Sequence, residues 1–102
     1  MKVTISDYLQ GRRYSKVVAK MIINALNENQ VIQDTERIDS EQDIQIGMSA
    51  KYQSLQVVVY HHENKKLGHE LANEVTDVLD NLGLGYDYPE VRDGYTIIGY
   101  EE

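Results

Sequence analysis

The run Leu55-Gln56-Val57-Val58-Val59-Tyr60-His61 constrains this chain more than any other segment. Three consecutive valines beside a tyrosine favour extended backbone, where β-branched side chains escape the χ1 crowding that a helix imposes. Upstream, Ile44, Ile46 and Met48 alternate with Asp43, Gln45 and Gly47, the period of a strand with one buried face. A polar stretch from Ser49 to Ser54 separates the two, so they read as an antiparallel hairpin with Lys51, Tyr52 and Gln53 at its tip.

Two helical stripes flank this hairpin. Tyr14, Val17, Val18, Met21, Ile22, Ala25 and Leu26 recur at helical spacing, and the polar residues Asn27 to Asn29 stop the helix. In the second stripe Asn64 is a good N-cap, Leu67, Leu71, Val75, Val78, Leu79 and Leu82 share one face, and Gly83 ends it. Its charges oppose the helix dipole. Lys65 and Lys66 sit at the positive end, Asp77 and Asp80 near the negative end, and each exposed misplacement costs about 0.3–1 kcal/mol.

The remaining segments are weaker. Ser6 can cap a short turn holding Tyr8 and Leu9, with Gly11 interrupting it; residues 1–5 form a strand, or the helix begins at Asp7. Residues 29–43 read as a mobile or partner-ordered connection with room for a weak strand. After a turn-rich loop at residues 84–89, Tyr95-Thr96-Ile97-Ile98-Gly99-Tyr100 reads as a closing strand. The fold class predicted is α+β, in a single domain over residues 1–102. An antiparallel sheet of about four strands carries two helices on one face, in the order α-β-β-α-β with room for an extra N-terminal or connecting strand.

Composition narrows function. A net charge of −7 opposes binding to phosphates, whose affinity comes from Lys and Arg. The absence of Cys removes disulfides and thiolate chemistry, and no apolar run reaches the length of a membrane span or a secretory signal core. All eight aromatic residues are Tyr, which suits margins and contact surfaces such as Tyr95 and Tyr100. The basic pairs Arg12-Arg13 and Lys65-Lys66 solvate helix ends or meet a neighbouring acidic surface, which could be that of another copy.

Catalytic signals are lacking. His61 and His62 point to opposite faces of a strand, so only one could converge with His69 and a carboxylate such as Glu63 or Glu70; a polar strand-to-helix junction accounts for all of them. The acids are dispersed, and Gly83-Leu84-Gly85 follows a helix where a phosphate-binding turn would precede one. No catalytic residue, metal or cofactor is expected.

The stretch from Gln53 to Gly83 joins a strand of the form "Q-hydrophobic-x-hydrophobic", a short polar turn and a helix carrying Glu70-Leu71-Ala72-Asn73 in an "E-L-A-N-x-hydrophobic" run, with a terminal strand after it. In this it resembles the centre of tail-terminator and tail-completion proteins of tailed bacteriophages. What the resemblance implies is a homo-oligomer, commonly a six-copy ring, at the end of the tail tube in the virion. Such a ring stops tube growth and meets tube protein on one side and the head connector on the other, without a membrane or specific nucleic-acid binding. Under this expectation subunit or partner contacts fall to Arg12, Arg13, Lys51, Tyr52, Gln53, Lys65, Lys66, Tyr95 and Tyr100. Asp34, Glu36, Asp39, Glu41 and Asp43 would face a DNA-repelling lumen or a partner. The rival reading is a small acidic mobile-element inhibitor that occupies a basic groove of a host nucleic-acid-processing protein.

Overall fold

The computed structural model describes residues 2–6, 9, 13–34, 44–49, 51, 52 and 54–102, and for residues 13–15 the backbone only. Its elements run β1 (Val3–Ile5), α1 (Arg13–Glu28), α2 (Gln30–Asp34), β2 (Ile44–Met48), β3 (Leu55–Tyr60), α3 (Lys65–Asn81), β4 (Gly85–Tyr86), β5 (Glu90–Val91) and β6 (Tyr95–Glu101). The strands form one sheet in the order β1-β2-β3-β6-β4, with β5 also paired to β6.

The mixed α and β content and the β2–β3 hairpin match expectation, with Ile46 opposite Val57. The sheet, however, is neither wholly antiparallel nor four-stranded. β1 runs parallel to β2, placing Val3 beside Ile44. The chain leaves β1, passes through α1 and α2 and re-enters the sheet at the end where β1 began, the crossover that parallel strands require. Hydrogen bonds from Ile44 N to Lys2 O (3.0 Å) and from Ser6 N to Ile46 O (2.7 Å) extend that pairing. Residues 3–5 are therefore strand, and the extra N-terminal strand is real.

The expected connection at residues 29–43 begins as a third helix, α2. Asn29 organises this joint. Its Oδ1 accepts from Ile32 N at 2.9 Å, and its Nδ2 donates to Glu74 Oε2 on α3 at 3.0 Å. One side chain thus caps α2 and ties it to α3, and Ile32 drops into the core.

α3 ends as its sequence requires. Asn64 Oδ1 accepts from Leu67 N at 3.1 Å. At the other end Gly83 adopts φ 74°, while Gly83 N donates to Asp80 O and Leu84 N to Leu79 O. This pair of bonds closes the last turn and needs a left-handed residue that glycine supplies without strain. In α1 the buried stripe is rotated from the expected one. Ala19, Ile22 and Leu26 are buried, whereas Val17 and Met21 are 55% and 47% exposed at its margin.

All three helices cover one face of the sheet. Ile22, Leu26, Ile32, Leu71 and Val75 share a single cluster with Ile44, Ile46, Val57, Val59 and Ile98. Val58 is buried but stands outside that cluster, because alternation turns it to the other face.

Candidate interaction surfaces

The face that the described helices leave uncovered is built from cross-strand rows. Gln45, Val58 and Ile97 stand in one row across β2, β3 and β6, and Tyr60 and Tyr95 in the next. Gln45, Gln56 and Ile97 are half-buried; Tyr60 and Tyr95 are 37% and 38% exposed. Their rings lie 6.2 Å apart, tilted by 49°. Tyr60 also donates to Gln45 Oε1 over a long 3.5 Å. None of these central residues is charged, in a chain of net charge −7. Depletion of charge and enrichment in Tyr mark the cores of protein interfaces.

The second surface is the outer edge of β6. Gly85 and Tyr86 pair with Glu101 and Tyr100, and Glu90 and Val91 pair with Ile97 and Thr96. Asp87 N continues the first register to Gly99 O at 2.8 Å. Tyr88 and Pro89 are therefore left opposite Ile98 alone, one residue too many. This is a β-bulge, and an edge bulge tolerates a proline that has no N–H to give. The bulge turns Tyr88 out into solvent, 95% exposed.

Between this edge and α3 lies a groove of about 420 Å³ lined by His69, Ala72, Thr76, Tyr86, Tyr88 and Val91. Tyr86 is held by its hydroxyl, which donates to Asp80 Oδ2 at 2.9 Å. That hydrogen bond raises the phenol above its ordinary pKa, and burial and the charges of Asp80 and Asp77 add to the effect. Residues 67–102 hold nine acids and one base, Arg92, which pairs with Glu90. Eight of the nine acids are exposed and Glu74 is half-buried, and residues 67–102 carry a net charge of −8.

The histidines separate. His61 is wholly buried at the end of β3, with Nδ1 3.0 Å from His62 O and Nε2 2.9 Å from Thr96 Oγ1. A carbonyl only accepts, so Nδ1 carries the proton and Nε2 accepts from the threonine hydroxyl in the neutral ring. Gly68 makes room for that ring, since a β-carbon there would overlap it. His62 is exposed with φ 53°, and His69 lines the groove. Among the described residues, no three acids or histidines gather where a metal ion could sit.

The expected contact residues scatter. Lys51 and Tyr52 are exposed at the hairpin tip, with Lys51 Nζ 5.1 Å from the Tyr52 ring centre. Lys65 pairs with Asp93 at 3.2 Å, and Lys66 is exposed beside it in sequence. Arg13 opens α1, Asp34 ends α2 exposed, and Tyr95 lies on the uncovered sheet face. Arg12, Gln53, Glu36, Asp39, Glu41 and Asp43 lie outside the described residues. Tyr100 is corrected: its place on β6 puts it on the helix-covered face, 4% exposed, so it is not available at the surface. Its hydroxyl has no partner there; burial pushes the phenol up to about 12, and the charge of Glu102 adds to this.

Sequence reading missed the groove because Tyr86-Asp87-Tyr88-Pro89 has loop composition and becomes an edge only by docking on β6. Its one sequence signal was the acid excess after Leu67. Comparison with family models, curated proteins and solved structures finds no significant match.

Proposed function

We propose that this chain is a structural assembly protein whose copies associate through the uncovered sheet face, in a ring of the kind that terminates a bacteriophage tail tube and joins it to the head connector. The observation that carries this reading is the charge-free central face of Gln45, Gln56, Val58, Tyr60, Tyr95 and Ile97 on a protein of net charge −7. Like-charged copies repel, so self-association needs a surface where no carboxylate must be desolvated. A sheet with one face on its helices and an uncharged centre on the other provides it, with Asp87, Glu90 and Arg92 confined to that face's margin.

The bulged edge supports the same reading by limiting the alternatives. Pro89, the bulge and the Glu90–Arg92 pair blunt that edge against strand-to-strand pairing, directing association to the face instead.

Negative-stain images of the purified protein test the proposal. Closed particles with about six-fold symmetry are expected, the uncovered face of each copy meeting a different surface of the next, since a repeated heterologous contact whose rotation closes makes a ring. Dispersed single copies at high concentration would overturn it. A second reading is favoured by the nine acids of residues 67–102: a monomeric acidic protein that occupies a basic groove on a nucleic-acid-processing enzyme. That reading predicts single copies and a stable one-to-one complex with such an enzyme.

A further inference from the structure

We infer that the groove between α3 and the bulged edge is a docking site for a basic polypeptide segment, taking a Lys or Arg side chain between Tyr86 and Tyr88. The inference stands apart from the ring, because it concerns a different surface. Its volume of about 420 Å³ suits one long side chain with its backbone flanks. Ala72, Pro89 and Val91 offer an apolar floor on which an aliphatic stem can lie, while the charged head reaches the rings at the rim.

The two tyrosines are placed for a cation. A phenol ring attracts a cation over its face, and the attraction grows as water is excluded. Tyr86 is oriented in advance by its hydrogen bond to Asp80, so little ordering is left for the moment of binding. Tyr88 is 95% exposed, and an extra residue in the edge strand is what turns it outward. A large aromatic side chain so exposed contributes little to the fold.

Charge selects the occupant. Asp77 and Asp80 of α3 act on Tyr86 at the groove, and no Lys or Arg is among the described residues that line it. A second copy is a poor complement. Residues 1–66 carry nine bases against eight acids, a net of +1 that offers an acidic groove little, and Lys65 is paired within the chain. Nucleic acid is repelled, and the described residues gather no ligand set for a divalent ion. A separate polypeptide rich in Lys or Arg fits what remains.

Fluorescence anisotropy with a labelled peptide of alternating Arg and Ala, and a Glu-for-Arg control, tests this on the full chain at low ionic strength. The Arg peptide is expected to bind saturably and the Glu peptide not at all. Tyr88→Ala should weaken binding by about 2- to 30-fold, the span of a cation–π contact. Glu28→Gln, an exposed acid on α1, should leave it unchanged. Should Tyr88→Ala fail to give folded protein, Asp77→Asn replaces it and should weaken binding while flattening its salt dependence. No binding of the Arg peptide would overturn the inference. So would equal affinity for wild type and Tyr88→Ala, which means diffuse attraction, or a change in oligomer mass on Tyr88→Ala alone, which means that another copy fills the groove.

Discussion

The uncovered sheet face and the bulged edge are built from the same strand and differ in charge. On β6, Tyr95 and Ile97 meet uncharged neighbours across β3 and β2, and carboxylates enter that face only at its margin, where Glu90 pairs beside Ile97 and Asp87 lies against Gly99; on the other side of the edge the groove meets Asp77 and Asp80 of α3. For a chain of net charge −7, the centre of the first surface can be covered by a neighbouring copy without desolvating a carboxylate, and the second cannot be covered without placing carboxylates together. On the proposed reading, self-association falls to the face and a foreign, basic partner to the groove.

The comparison breaks first at Ile97. Ile97→Lys puts an ammonium beside Val58 on the uncovered face, and the expected outcome is loss of assembly to single copies of 11.7 kDa by analytical ultracentrifugation, with helical content retained. An assembled Ile97→Lys protein would remove the face from the account. The substitutions that follow act on the covered side and should alter stability without altering mass.

Gly68→Ala drives a methyl group into the buried His61 ring. Overpacking of this kind costs about 1–3 kcal/mol, read as a lower urea midpoint at unchanged slope. Thr96 is the neighbour of Ile97 on the opposite face, which makes Thr96→Val a close control. It leaves His61 Nε2 buried without a partner and should cost about 1–3 kcal/mol. Assembly that survives Thr96→Val and fails in Ile97→Lys would separate the two faces by adjacent residues.

Tyr100→Phe is the smallest effect and has the opposite sign. It removes a buried hydroxyl with no partner, so stability should rise by about 1 kcal/mol. The pH dependence follows from the same group. Folding raises its pKa from about 10 to about 12, so the folded state binds the proton more tightly. Stability from this source is intact below pH 10 and falls as pH rises from about 10 through about 12. Denaturation in that window should be less steep with pH in Tyr100→Phe, and a parallel decline in both proteins would contradict the assignment.

What could be read before the fold was seen follows from how local each signal is. α3 was legible because its cap, aliphatic stripe and terminal glycine lie within one segment, and each does in the structure what its residue type dictates. β2 and β3 were legible for the same reason, as alternating residues around one polar tip. β1 was not, since a three-residue strand becomes a strand only through a parallel partner about forty residues away. Tyr100 was misplaced because tyrosine content suggested margins, while alternation from the buried Thr96 and Ile98 put it inside. The groove required β4 and β5, two-residue strands that exist by docking on β6.

Light scattering on the wild-type chain, across a concentration series at moderate salt, tests the central claim most directly. A mass near six times 11.7 kDa that holds on dilution and collapses in Ile97→Lys is the expected result. A mass of one protomer at the highest concentration reached would contradict it.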